Sequence, residues 1–368
     1  MKKVLLINFL ILIIGIFTLE IFFGKWFSKE KYYCSYVLCK TNYKFKHEIF
    51  SSEYNGTYSK NSDGLRGNFK NNSNIKILVL GGSTTDQRYL SDNDTWTNQL
   101  QKHFEKNNKN FKIANAGIDG QSTIGHIWNF ENWFPNIKNL KPEIIIFYIG
   151  INDLIPREKS HYDFEKAKFK FSKLYLKQLI KNNSIVYYLF NTIYSNLFDK
   201  KKIFQFNKSI LKSNLNYSIK SSLSDVNLEI YKKEYLNNNV SLRLNILFNE
   251  AQKYNAIPIF ITQGTKRWIK KNNDYYGIYS QNKRIKIKLE KKKIYINSAD
   301  LGFLEEKFSN NVIKFCNKKK IFCIDGFNLF NLKTKDTYDL MHLNDKGSKK
   351  IAKKIFEEII KNKESNYK

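Results

Sequence analysis

Ile75-Lys76-Ile77-Leu78-Val79-Leu80-Gly81-Gly82-Ser83-Thr84-Thr85 is the stretch whose reading decides the fold. A hydrophobic run of strand length meets two glycines and a serine, and a polar, helix-prone stretch follows. Glycines there let the backbone turn sharply without Cβ clashes. A serine at such a turn is presented at the carboxyl edge of a sheet, where open α/β folds place their ligand sites. On its own the triplet fits a bland reading equally well: a turn whose serine caps the next helix.

Three further segments follow in order. Asn115-Ala116-Gly117-Ile118-Asp119-Gly120-Gln121-Ser122 comes after the short apolar run from Phe111 to Ala114. Gly150-Ile151-Asn152-Asp153 comes straight after the buried-looking strand Glu143 to Ile149. Asp339-Leu340-Met341-His342 lies near the C-terminus, ahead of a helical stretch. The set is Ser, then Gly, then Asn, then Asp-x-x-His, with the first three at strand ends. In this it resembles the SGNH/GDSL hydrolase family over roughly residues 60 to 360. One departure is visible: the family's first block often reads Gly-Asp-Ser, and here it reads Gly-Gly-Ser. The aspartate of that block is not the nucleophile, so the chemistry is not affected.

A serine needs a base within hydrogen-bond reach to act as a nucleophile. His342 is the natural base, because imidazole titrates near neutral pH. Asp339, three residues earlier, is placed to hold the histidine tautomer and stabilise the imidazolium. A tetrahedral intermediate needs donors aimed at its oxyanion. The resemblance assigns these to the backbone N–H of Ser83, the backbone N–H of Gly117 and the side-chain amide of Asn152. Bland alternatives stand beside each: Gly117 as a turn glycine, and Asn152-Asp153 as a cap pair, with Asp153 read as structural. Asp345 is read as the structural cap of the last helix. Upstream, Gly64-Leu65-Arg66-Gly67 is similar to a segment in membrane-anchored relatives. Arg66 is a candidate for binding an anionic or sugar group of the substrate, or for pairing with a carboxylate.

The 368 residues suffice for one large α/β domain plus an anchor. Val4 to Phe23 is apolar except for Asn8, Thr18 and Glu20. Twenty residues at about 1.5 Å each span the roughly 30 Å hydrocarbon layer of a bilayer. No small-residue cleavage site follows, so an uncleaved signal anchor over residues 1–24 is expected, with a membrane-proximal segment over 25–74. Lysines flank both sides and orient the helix only weakly. A folded domain behind an N-terminal anchor places the catalytic part outside the cytoplasm: inner membrane, single-pass, periplasmic. The charge of +30 comes from 63 Lys+Arg against 33 Asp+Glu, is nearly all lysine, and is spread along the chain. No nucleic-acid motif accompanies it, so a nucleic-acid partner is excluded, while attraction to anionic headgroups or acidic glycans is allowed. The composition looks AT-rich and bacterial. The four cysteines form two close pairs, Cys34/Cys39 and Cys316/Cys323, each able to close a short disulfide loop or to remain as thiols. None has metal-site spacing, and no metal or cofactor is expected.

Strand signals fall at 75–80, 111–115, 143–149, 257–262 and 321–325, and helical patterns near 95–107, 122–133, 239–255, 303–318 and 346–361. Short apolar strands separated by helices argue for a doubly wound parallel sheet. The family implies a flavodoxin-like three-layer α/β/α sandwich with a parallel five-stranded sheet, here within a 75–364 hydrolase domain. Residues 155–238 break the rhythm and read as a cap-like helical insertion, with helices at 171–180 and 186–198. A second irregular stretch, 264–300, carries Trp268, whose ring is read either as a sugar-stacking platform or as packing. The resemblance implies a membrane-anchored serine esterase, with O-acetyl groups on a cell-surface or secreted polysaccharide as substrate. An O-acyltransferase using the same triad, a non-catalytic glycan-binding or assembly component, and a lipase or lysophospholipase remain as rivals.

Overall fold

The computed structural model describes residues 2–28, 31–32, 40–49, 52–154, 173–198, 217–220, 240–278, 285–289 and 292–365. The chain opens with one apolar helix, α1 (Lys2–Phe23), long and apolar enough to cross a membrane. An antiparallel hairpin follows, β1 (Thr41–Ile49) and β2 (Ser52–Lys60), in continuous register.

The central sheet then begins with β3 (Ile75–Gly81), α2 (Ser83–Asp86), α3 (Trp96–Lys106), β4 (Lys112–Asn115), α4 (Thr123–Asn132) and β5 (Ile144–Ile149). Two insertion helices come next, α5 (Lys173–Asn183) and α6 (Ile185–Phe198), then the short strand β6 (Tyr217–Lys220). The core resumes with α7 (Ser241–Lys253) and β7 (Ile257–Thr262). Four short strands follow: β8 (Trp268–Lys271), β9 (Asp274–Ile278), β10 (Ile285–Leu289) and β11 (Lys292–Ile296). The chain closes with α8 (Ser298–Lys319), β12 (Cys323–Ile324), α9 (Gly326–Leu329) and α10 (Asp345–Ser365).

The main sheet runs β12-β7-β5-β3-β4, and every pairing in it is parallel. These are the five strands expected from sequence, in the flavodoxin-like order. Both faces are covered, which is why the strands are continuous apolar runs rather than alternating ones. Leu78, Leu80, Ile145 and Phe147 face α4, α7 and α8, meeting Phe130, Leu244, Leu247, Leu304 and Phe308. Ile77, Val79, Ile144 and Ile146 face α3 and α10, meeting Trp96, Leu100, Phe104, Ile351 and Ile355. In such an order ligands collect where the strand direction of winding reverses, between the first and third core strands. Here that point lies between β3 and β5, the strands ahead of Ser83 and Asn152.

Several local expectations are corrected. α8 starts at Ser298 rather than 303, because Asn297 caps it: its side chain accepts from Ala299 N and Asp300 N, while Asp300 accepts from Asn297 N. The cap of α10 is Asn344, bonded by Gly347 N, and Asp345 is the first residue of the helix itself. Residues 264–300 contain β8 to β11, antiparallel pairings whose signal was the alternation Ile-Lys-Ile-Lys-Leu at 285–289. The hairpin β1–β2 was likewise missed in the polar segment. Of the 155–238 insertion, α5, α6 and β6 are described, and the remainder lies outside the described residues. Cys316 and Cys323 are disulfide-bonded, joining the end of α8 to β12, whereas Cys34 and Cys39 lie outside the described residues.

Phe147 is fully buried at the centre of the sheet and stacks on Phe260, with centroids 4.8 Å apart. Phe147→Ala should therefore lower the unfolding free energy by about 3–5 kcal/mol, read from chemical denaturation of the detergent-solubilised chain.

Candidate active site

β3 ends in Gly81 and Gly82, and Ser83 starts the one-turn helix α2. Neither glycine has room for a side chain. A Cβ on Gly81 would lie 2.1 Å from Thr85 Oγ1, and one on Gly82 would lie 2.3 Å from Asn152 Nδ2. This packing accounts for Gly-Gly-Ser in place of Gly-Asp-Ser. Ser83 is left half-buried at the strand end, where its backbone N–H has no hydrogen-bond partner among the described residues.

The Asp339–His342 segment arrives opposite. Ser83 Oγ is 2.7 Å from His342 Nε2, and His342 Nδ1 is 2.6 Å from Asp339 Oδ2. A carboxylate only accepts, so Nδ1 carries the proton and Nε2 is left to accept from the serine hydroxyl. The other carboxylate oxygen, Asp339 Oδ1, accepts from His342 N at 2.7 Å and Met341 N at 3.1 Å. Burial opposes ionisation of Asp339, but its hydrogen bonds from the His342 ring and these two N–H groups win and hold its pKa below the usual value. The loop is fixed from three sides. Leu340, buried, sits at φ +69°, and its carbonyl accepts from Lys266 N at 2.7 Å. Tyr338 stacks on the His342 ring (5.5 Å, 11°), and Tyr89 packs edge-on against Tyr338.

The oxyanion side differs in one residue from the expectation. Asn152 Nδ2 donates to Gln121 O at 3.1 Å, which fixes the amide beside Gly82 and leaves its second N–H without a partner among the described residues. Gly117 does not present a free donor. Its N–H is taken by Asn115 Oδ1 at 2.8 Å, and a Cβ there would lie 2.4 Å from Asp86 N. Gly117 is glycine because the loop packs directly on α2. Three residues on, Gly120 is half-buried at φ +77°, and its N–H has no partner among the described residues. It precedes Gln121, whose carbonyl holds Asn152. The signal that could have found it was Asp119-Gly120, a turn pair that favours positive φ.

Of the two readings of Arg66, the structure has the one that pairs it with a carboxylate rather than the substrate-binding one. Its side chain is buried, with Nη1 donating to the carbonyls of Asp86 and Gln87, Nη2 to that of Leu90, and Nε to Asp92 Oδ1 at 2.6 Å. The guanidinium thus staples the segment after α2 and is turned to these carbonyls. Asp153 is buried and ties two blocks together. Its Oδ1 accepts from Thr123 N and Oγ1, at 2.9 and 2.6 Å, across to the start of α4. Trp268 packs against Gly302 and Phe327 and donates to Glu305 Oε2 at 2.7 Å, so its ring is wall rather than platform. It borders a cavity of about 470 Å³ shared with Gly264, Lys266, Phe327 and Asn328. Among the described residues no group of His, Cys, Asp and Glu could hold a metal ion.

The family model of GDSL-like lipases and acylhydrolases matches residues 77–355. This chain belongs to that family. As a member it is a hydrolase of ester bonds. Among solved structures it is similar to TesA, at 11% identity over 77% of this chain and 97% of that one, with a TM-score of 0.40. It is also similar to a catalytic mutant of an acetylxylan esterase from Geobacillus stearothermophilus (12%, 79% and 96%, 0.41). A third is a lipolytic G-D-S-L protein from Veillonella parvula (13%, 77% and 97%, 0.42). These likenesses are general ones. No curated protein matches the chain.

Two outcomes follow from this geometry. Gly82→Ala should cut ester turnover by about 10²-fold with little loss of stability, because the added carbon displaces the Asn152 amide. Steady-state kinetics paired with thermal unfolding checks this. His126, fully buried in α4 beside the Gly81 backbone, has its pKa pushed down to about 4 by burial, against the opposing charge of Asp153. It is neutral in the folded state, whereas the unfolded chain takes up a proton below the ordinary value of 6.5. Stability should therefore fall as pH drops from 6.5 toward about 4, by about 3 kcal/mol. Denaturation of His126→Leu across that window should show a shallower decline.

Proposed function

We propose that the protein is a membrane-anchored serine esterase that removes O-acetyl groups from a cell-surface or secreted polysaccharide. The observation that carries this reading is the relay of Ser83, His342 and Asp339 at 2.7 and 2.6 Å. His342 takes the Ser83 proton through Nε2 as Oγ attacks the ester carbonyl. Asp339 keeps Nδ1 protonated and stabilises the imidazolium. The oxyanion is met by the Ser83 N–H, the Gly120 N–H and the free Asn152 N–H. His342 then gives that proton to the sugar oxygen as its bond to the acyl carbon breaks, releasing the sugar hydroxyl, and a water attacks the acyl-enzyme by the reverse proton path.

A hydroxyl-rich substrate is supported by the polar rim. Arg88 and Asp119 lie 3.8 Å apart, with Asp119 directly before Gly120 and Arg88 five residues after Ser83. Placement outside the cytoplasm is supported by α1 and by the Cys316–Cys323 disulfide, a bond that persists in oxidising compartments.

Ser83→Ala and His342→Ala should each lower hydrolysis of acetylated glycan and of p-nitrophenyl acetate by roughly 10⁴-fold or more, with the fold intact. Following acetate release and acetyl transfer to added glycan together separates a hydrolase from a transferase. Wild-type turnover in clean Ser83→Ala would end the proposal. Asn152 sharpens the test. Asn152→Asp should cost at least about 10²-fold in kcat with KM little changed, because a carboxylate repels the oxyanion. A helix-capping role would leave that change nearly silent, since Asp caps as well as Asn.

A further inference from the structure

The insertion helices α5 and α6 meet at a corner, Asn182-Asn183-Ser184, whose residues are buried. What buries them is the end of α1 and the chain that follows it. The Glu20 carboxylate accepts from Ser184 Oγ, from Ile185 N at 3.3 Å, from Val186 N at 3.2 Å and from Trp26 Nε1 at 2.8 Å. Lys25 N donates to Asn183 O at 2.7 Å, and Tyr32 N to Asn182 O at 2.9 Å. Lys31 Nζ reaches Asn183 Oδ1, and Tyr32 stacks on Tyr188 with centroids 4.6 Å apart. Glu20, the polar exception near the end of an apolar helix, thereby caps α6 and fixes the corner to the anchor.

Beyond the corner the helices are patterned inside out. On α6 the exposed residues are Leu189, Phe190, Ile193 and Tyr194, while Asn191 and Thr192 are the less exposed ones. Phe190 is 69% exposed and stacks only on Tyr194 among the described rings. On α5 Leu176 and Ile180, one turn apart, are exposed too. Positions i, i+1, i+4 and i+5 share one helix face, so these four α6 residues form a stripe. A water-facing helix carries charge on that face. Residues 173–198 contain no acidic residue at all, and the cations present are Lys173, Lys177 and Lys181 on α5.

One occupant fits. Every described residue of α1 other than Glu20 stays exposed, so α6 does not run beside α1 but departs from its end. Its apolar stripe therefore begins at the level where the apolar anchor stops. Aromatic residues with polar tips collect there: Trp26, Tyr32, Tyr187, Tyr188 and Tyr194. That is the composition of a membrane–water boundary, and the lysines of α5 and of residues 25–31 suit anionic headgroups. We infer that α5 and α6 form a second membrane contact, lying in the lipid interface with Leu176, Ile180, Leu189, Phe190, Ile193 and Tyr194 against the acyl boundary. The inference rests on the reading of α1 as an anchor.

The test uses the full chain in nanodiscs of phosphatidylcholine and phosphatidylglycerol, with an environment-sensitive fluorophore on a cysteine at one of three positions. Phe17→Cys probes the anchor, Phe190→Cys the stripe, and Lys353→Cys the exposed face of α10. Lipids spin-labelled near the headgroup should quench the label at 190 about threefold more than the label at 353, and lipids labelled deep in the chain should quench the label at 17. Quenching at 17 with equal, weak quenching at 190 and 353 would keep the anchor and overturn the inference. No quenching at 17 would remove the anchor and the inference together. Quenching at 190 that appears only when two chains share a nanodisc would give the stripe to a second copy, and overturn it as well.

Discussion

The site depends on one close approach, that of the Gly82 backbone to the Asn152 amide. No side chain fits between them, since a Cβ on Gly82 would lie 2.3 Å from Asn152 Nδ2. The approach is possible because β3 and β5 are neighbours whose ends are level: Gly81 pairs with Tyr148, so the turns after each strand leave the sheet side by side. The same reversal point receives the turn after β4, where Gln121 O accepts from Asn152. Three loops from three adjacent strands thereby converge on the space above Ser83.

The fourth component, the Asp339–His342 loop, comes from the far end of the chain and is held by unrelated means. Leu340 at φ +69° is an unfavourable backbone state for a branched residue, and such strain persists only where surroundings over-determine it. Here they are the Lys266 N–H on its carbonyl, its own full burial, and the Tyr338 ring against His342. Arg66 does the corresponding work behind Ser83, binding the carbonyls of Asp86, Gln87 and Leu90. Positioning is distributed, whereas the reacting groups are few.

The five sheet strands were legible because burial on both faces makes them unbroken apolar runs. That Ser83, Asp339 and His342 come together was legible because a serine at a strand end and the Asp-x-x-His spacing answer to a known chemistry, which the proposed function assigns to them. Gly117 misled because glycine serves equally for close packing and for donor presentation. The contact with α2 that decides between them is tertiary, as is the positive φ of Gly120. For the same reason Arg66 was left with two readings, since a lone arginine before a strand says nothing of the carbonyls and the carboxylate it will meet. The hairpin β1–β2 carries Tyr43, Phe45, Tyr54 and Tyr58 on one face and polar residues on the other, an alternation that the abundance of Lys, Asn and Ser in the segment masked. The role of Glu20 was hidden because its partners lie more than 160 residues away along the chain.

The most direct measurement of the central claim is the site of covalent capture by a fluorophosphonate, read by intact mass and peptide mapping. The account predicts one adduct per chain, on the peptide containing Ser83, formed much more slowly in His342→Ala and absent in Ser83→Ala. An adduct on any other residue, or undiminished labelling of Ser83→Ala, would contradict it.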